Sequence, residues 1–289
     1  MKVLVAKYSG FCPGVVQAEE AIFSTKNKVK NEKIYILGYL IHNHTYIDFL
    51  EENDIHTIQN PNEAPPGSLL VIRTHGINRQ LENALSKNYS LVDLTCPKVK
   101  KIQKLIQSYA EKGYYIVITG HMEHPEVQGL VSYANQYRVI GNEDDIEESI
   151  QERSEDQDLS VLLVSQTTGY RELFETAVRA WKEAGESRGW NVEFYDSICP
   201  ITSFREQEAL KNLGTVDVTF VVGDKLSSNA TRLYNTVRKK NEHTYFISNR
   251  EDLIHLDLDF SGLKTAQVVS SSSTPSFVEK QIIAYLESI

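Results

Sequence analysis

The sequence predicts an α/β protein built from three pseudo-symmetric copies of one parallel-sheet module, and three observations predict it. All three cysteines, Cys12, Cys96 and Cys199, are followed by proline. Each Cys-Pro stands between a short apolar, strand-like run and a helix-like run. From each cysteine to the next β-like run ending in glycine, the distance repeats at 24 to 26 residues. Alternating β-like and helical runs imply parallel strands joined by crossover helices.

The elements recur in the same order in each copy. "KVLVAKY", "SLVDL" and "VEFYD" lead into the cysteines, and "VVQAEEAIF", "KVKKIQKLIQSYA" and "FREQEALKNL" follow them. Proline suits the first helical turn, because its fixed backbone angle is helical and its missing N–H had no partner there. The thiols are therefore expected at helix N-termini, where free N–H groups and the helix dipole favour a thiolate. Next come "IYILG", "YYIVITG" and "VTFVVG", ending at Gly38, Gly120 and Gly223. Four residues past each glycine stand His42, His124 and Ser227. The last β-like runs are "LLVIRTHG", "VLLVSQTTG" and "AQVVSSSSTP", which carry His75, Thr167 and Ser273. Polar groups placed just after parallel strands gather at the carboxyl edge of a sheet, where open α/β sheets build their sites.

The phase of the repeat sets the modules at residues 12–96, 97–198 and 199–289. The first two end in the strand that leads to the next cysteine. The third ends in the helical "PSFVEKQIIAYLESI" with no strand after it. The N-terminal strand, residues 2–8, is therefore expected to complete the third sheet and close a ring around one central site.

Composition narrows the function. With 289 residues, 41% of them hydrophobic, the chain can bury a substantial core. No apolar run approaches bilayer length and "MKVLVAKYSG" is too soon polar for a secretory segment, so a cytoplasmic location is expected. Three widely spaced cysteines do not make a disulfide framework. A formal net charge of −9 speaks against nucleic acid as the main partner, though not against a small anion in one pocket.

Buried structural thiols are the ordinary reading of isolated cysteines. With 8 prolines in the chain, three Cys-Pro pairs out of three arise by chance at a frequency on the order of 10^-5, which favours a shared role. Structural zinc usually takes four ligands in close CxxC or HxxxH pairs, and no such pairs occur. Three thiolates from three equivalent modules instead suit an iron–sulfur cluster with one iron open to act as a Lewis acid. His42, His75 and His124, with Thr167, Ser227, Ser228, Asn229 and Ser273, form a set of hydrogen-bond donors suited to a phosphate or diphosphate. Glu126, in "HPE", can carry protons in a closed pocket, or can simply cap the helix that Pro125 begins. His44, His56, His121, His243 and His255 read as satisfied or solvent-exposed side chains.

Taken together, "GFCPGV", "LIHN", "IRTHG", "DLTCP", "HPEVQG", "VSQTT", "SIC", "REQEA" and "KLSSNATRL" resemble the 4-hydroxy-3-methylbut-2-enyl diphosphate reductases of the non-mevalonate isoprenoid pathway, in the order of that family and over about residues 4–280. The resemblance implies three α/β domains in a trefoil around a central 4Fe-4S cluster, with Cys12, Cys96 and Cys199 as its ligands. It implies an allylic diphosphate substrate whose hydroxyl binds the open iron. It places the diphosphate among His42, His75, His124, Thr167, Ser227, Ser228, Asn229 and Ser273. It gives Glu126 the role of proton donor, with Thr167 and His124 as its catalytic companions. Electrons come from a ferredoxin, flavodoxin or similar donor, and protonation of an allyl anion-like species gives isopentenyl or dimethylallyl diphosphate. Departures from the family pattern fall beside the motifs: His44 stands where many relatives have proline, Pro13 and Pro200 follow cysteines where other residues are frequent, and "SSSSTP" is unusually polar. Two other readings use the same cysteines. One is a quinolinate synthase-like iron–sulfur dehydratase, which leaves "HPEV" and "KLSSN" unexplained. The other is a cluster-bearing redox sensor or phosphate-binding module, which has no need of Glu126.

Overall fold

A computed structural model describes residues 1–29 and 33–289. In chain order its elements are β1 (Lys2–Val5), α1 (Pro13–Val29), β2 (Ile34–Leu37), α2 (His44–Glu51), β3 (Ile55–Ile58), β4 (Leu69–Ile72), α3 (Arg79–Leu85), β5 (Ser90–Asp93) and α4 (Pro97–Ala110). There follow β6 (Tyr115–Thr119), α5 (Pro125–Val131), β7 (Tyr137–Ile140), α6 (Asp144–Gln151), β8 (Ser160–Ser165), α7 (Arg171–Arg188) and β9 (Asn191–Phe194). The last are α8 (Pro200–Asn212), β10 (Val218–Val222), α9 (Ser228–Arg238), β11 (Thr244–Ile247), α10 (Arg250–Ile254), β12 (Thr265–Ser270) and α11 (Ser276–Ser288). Pro13, Pro97 and Pro200 each occupy the first position of a helix, as their fixed φ favours. The chain divides into two compact units, one of Met1–Ala64 with Pro200–Ile289 and the other of Pro65–Cys199. The boundary falls within the first sequence repeat.

In the first unit one sheet runs β1-β12-β10-β11 with its neighbouring strands parallel, and β2 pairs with β3 in parallel. In the second unit the sheet order is β7-β6-β8-β9, again parallel, and β4 pairs with β5. The two complete sheets have the same layout. Their central strands are β10 and β12 in one and β6 and β8 in the other. Beside β12, β1 takes the place that β9 takes beside β8, with Lys2 opposite Thr265 and Val5 opposite Val268.

The cores explain why β6 and β10 read as unbroken apolar runs. All five residues of each strand are buried, as in parallel sheets covered on both faces. Successive side chains alternate between the faces. In the second unit Val117 packs with Phe174 and Trp181 of α7, while Ile116 and Ile118 pack with Ile102 and Ile106 of α4. In the first unit Phe220 packs with Val278 and Ile282 of α11, while Val221 packs with Leu233 and Val237 of α9. Among the described residues, no helix is long and apolar enough to cross a membrane.

The three strand-exit glycines share one backbone bond. The N–H groups of Gly38, Gly120 and Gly223 donate to the carbonyls of Ile58, Ile140 and Ile247 at 2.7, 2.9 and 2.9 Å. Gly38 needs its left-handed φ of 72°. Gly223 is required for space, since a Cβ there would lie 2.5 Å from Ala230 Cβ and 2.9 Å from Ser271 Oγ. Gly223→Ala is therefore expected to lower stability by about 1–3 kcal/mol in urea unfolding, through overpacking against α9. An unchanged midpoint would mean that α9 yields freely.

Candidate active site

In the second unit, Cys96 is the N-cap of α4 and Cys199 immediately precedes Pro200. Their backbone N–H groups make matching bonds, Cys96 to the Thr74 carbonyl at 2.9 Å and Cys199 to the Thr167 carbonyl at 2.8 Å. Each bond ties a cysteine to the loop that follows the neighbouring strand, β4 or β8. In the first unit the Cys12 carbonyl accepts the first helical bonds of α1, from Val15 at 2.9 Å and Val16 at 3.0 Å. Arg205 of α8 holds the segment leading to Cys12. It is buried, and it donates to the carbonyls of Tyr8 at 2.6 Å and Gly10 at 2.7 Å.

All three cysteines are half-buried and none forms a disulfide. Lys98 Nζ lies 3.3 Å from Cys199 Sγ. Among the described residues, no group of three or more His, Cys, Asp or Glu could hold a single metal ion. A cluster makes a different demand, because each thiolate binds its own iron. Half-buried sulfurs at helix starts, one of them beside a lysine, fit a thiolate-held cluster as donors.

Also in the second unit, Glu126 is 1% exposed and both carboxyl oxygens meet Thr167. The Thr167 backbone N–H donates to Oε1 at 2.7 Å, and the Thr167 hydroxyl bonds Oε2 at 2.7 Å. Burial raises the Glu126 pKa to about 7, and the two Thr167 bonds partly offset the rise. His124 caps α5, its Nδ1 accepting the Glu126 backbone N–H at 3.2 Å, so in the neutral ring the proton sits on Nε2. The His75 ring meets the His124 ring edge-on, with centroids 5.5 Å apart. His75, His124, Glu126 and Thr167 thus form one group.

The first unit gathers a second group where β10 and β12 end. Ser227 caps α9, and its hydroxyl accepts from Ser273 Oγ at 3.0 Å. Ser271 Oγ lies 3.0 Å from Ser273 Oγ, and Thr274 Oγ1 donates to the Val222 carbonyl at 2.8 Å. Asn229 is buried and its Nδ2 has no hydrogen-bond partner among the described residues. Ser228 is exposed, and His42 is half-buried with its ring against Tyr39. A buried, unpaired amide donor beside clustered hydroxyls suits an anion. His56, expected to be an ordinary satisfied histidine, pairs with Glu51 at 2.5 Å. Reading the sequence assigned no site role to Arg205, although an arginine in phase with Thr202 and Ala209 on the buried face of α8 was a legible signal.

A model of the LytB protein family matches residues 3–287. The chain belongs to the LytB family. A 4-hydroxy-3-methylbut-2-enyl diphosphate reductase of Caldanaerobacter subterraneus is 32% identical over 292 residues, spanning all of this chain and 98% of the relative. One from a Thermoanaerobacter species is 34% identical, over 98% of this chain and 96% of its own length. A solved (E)-4-hydroxy-3-methyl-but-2-enyl diphosphate reductase structure superposes with a TM-score of 0.73 at 29% identity, covering both chains completely. The corresponding reductase structure from Plasmodium falciparum gives 0.84 at 26% identity, over 99% of this chain and 87% of the other. This LytB chain is therefore an α/β enzyme of the oxidoreductase class.

The raised pKa of Glu126 has a stability consequence. Between pH 4.5 and about 7 the unfolded chain ionises this carboxyl while the folded protein keeps its proton. Native stability falls over that window by ~3 kcal/mol relative to a neutral side chain, and levels off above it. Urea unfolding of Glu126→Gln against wild type should therefore show the variant gaining relative stability as pH rises through the window. A constant difference would contradict a buried carboxyl that titrates near neutrality.

Proposed function

We propose that this LytB chain reductively removes the hydroxyl of 4-hydroxy-3-methylbut-2-enyl diphosphate, giving isopentenyl and dimethylallyl diphosphate in the non-mevalonate pathway. The observation that carries the reading is the enclosed Glu126 carboxyl, bonded at both oxygens by Thr167, within a chain of this family. Cys12, Cys96 and Cys199 would hold a 4Fe-4S cluster, one from each module of residues 12–96, 97–198 and 199–289, with strand 2–8 completing the third. When bound, that cluster supplies electron transfer and a coordination position open to the substrate hydroxyl. The electrons come from a ferredoxin, flavodoxin or similar donor in the cytoplasm.

The residues divide the work by chemistry. Glu126 gives its proton to the departing hydroxyl, which leaves as water. A pKa of about 7 keeps the carboxyl loaded at neutral pH without making the proton hard to release. Thr167 fixes the carboxyl in place, since the backbone and hydroxyl of one residue contact its two oxygens. His124, with its proton on Nε2, donates to a phosphate oxygen together with His42 and His75. Ser227, Ser228, Asn229 and Ser273 complete the diphosphate cradle, with Asn229 Nδ2 gaining the acceptor it lacks among the described residues. Two electrons and two protons balance the reaction: one proton leaves in water and the other ends on carbon.

The test is anaerobic reconstitution with iron and sulfide, then reduction of 4-hydroxy-3-methylbut-2-enyl diphosphate by a chemical donor. Wild type should consume the compound. Glu126→Gln should keep the cluster spectrum and lose turnover by about 10^2 to 10^4-fold. An intact cluster with no consumption overturns the substrate assignment, and wild-type turnover by the glutamine variant overturns the proton-donor role.

A further inference from the structure

Asp224 lies in the loop between β10 and α9, three positions before the N-cap Ser227, and it is only 6% exposed. One carboxylate oxygen, Oδ2, lies 2.6 Å from His44 Nδ1 and also accepts the His44 backbone N–H at 3.0 Å. The other, Oδ1, accepts the Leu226 N–H at 2.8 Å, and the Asp224 carbonyl accepts the Ser227 N–H at 2.9 Å. One buried acid therefore joins two segments 180 residues apart. His44 begins α2, directly after His42 and the buried cap Asn43, whose Oδ1 accepts the Tyr46 N–H at 3.0 Å. The loop continues into Ser227, Ser228 and Asn229. Burial by itself would raise the Asp224 pKa, but the donors of Leu226 and His44 outweigh it and hold the carboxyl below the usual range. The charge is kept there by those donors, and removing them leaves a buried carboxylate short of partners.

We infer that His44 is a positioning residue for substrate: through Asp224 it fixes the 224–229 loop against the start of α2, so that the two segments present their donors to one diphosphate. The inference rests on the diphosphate reading of Ser227 and Asn229 given above. His44 itself touches no substrate. It sets affinity through the order of the loop, so the effect belongs in KM more than in kcat.

The first position of α2 admits a clean variant. His44→Pro removes both donors to Asp224 at once, and proline is well tolerated at the first position of a helix. In the cluster-loaded enzyme, His44→Pro should raise KM for 4-hydroxy-3-methylbut-2-enyl diphosphate, and the inhibition constant of inorganic pyrophosphate, each about tenfold. Its kcat and cluster absorbance should stay within about twofold of wild type. His44→Gln keeps the backbone N–H and an amide donor and should restore both constants to within about twofold of wild type. His44→Ala keeps only the backbone donor and should fall between them, which retains the test if the proline variant folds poorly. Ser227→Ala is the control for the underlying reading. If Ser227→Ala weakens pyrophosphate inhibition while His44→Pro and His44→Ala leave it unchanged, the positioning role is wrong and the diphosphate site stands. If none of the three changes it, the diphosphate site itself is wrong and the positioning role falls with it.

Discussion

Parallel strands in one sheet all end on the same edge, and this constraint organises the chemistry of both units. A residue placed just after one strand is brought beside residues placed just after its neighbours, however far apart they lie in sequence. Thr167 follows β8 and meets Glu126, which begins α5 after β6. Ser273 follows β12 and meets Ser227, which follows β10. The same register carries Cys96 to the Thr74 carbonyl and Cys199 to the Thr167 carbonyl. The central strands can hold that edge still because they are buried on both faces, so rotating or sliding one would disturb two cores at once.

Within that frame the two units solve different problems. The second unit keeps a proton in a dry place. Glu126 is enclosed and has no cation among the causes of its shift, so desolvation pushes it toward the neutral acid while Thr167 holds its direction. The first unit gathers neutral hydrogen-bonding groups at one sheet edge. Its hydroxyls satisfy one another through Ser227, Ser271 and Ser273, while Asn229 Nδ2 stays buried without a partner among the described residues. Arg205 and Asp224 are the struts behind these groups. Each is a buried charge bonded to backbone groups of a loop, Arg205 for the approach to Cys12 and Asp224 for the approach to Ser227.

Much of this was legible because local rules and the tertiary fold agree. Proline after each cysteine announced a helix start, and Pro13, Pro97 and Pro200 stand there. The β-like runs "YYIVIT" and "VTFVV" announced strands, and β6 and β10 stand there. The site was legible as a set of positions rather than as a set of contacts. Glu126 could equally have been a helix cap, and only the fold shows that His124 does the capping while the carboxyl turns to a residue 41 positions away. His44 read as an ordinary exposed histidine, and its ring is largely exposed. Its tie to Asp224 depends on how α2 packs beside the β10–α9 loop, which no local pattern encodes. The compact-unit boundary at Ala64 and Pro65 was also hidden, because it cuts across the repeat.

The central claim is that one thiol from each repeat serves the same inorganic group, and iron stoichiometry tests it most directly. Wild type and the single variants Cys12→Ser, Cys96→Ser and Cys199→Ser would each be reconstituted without oxygen, assayed for iron and sulfide, and examined by electron paramagnetic resonance after reduction. The account predicts about four irons per wild-type chain and a marked loss of iron and signal in every one of the three variants. Any one variant that keeps the wild-type iron content and spectrum would contradict it.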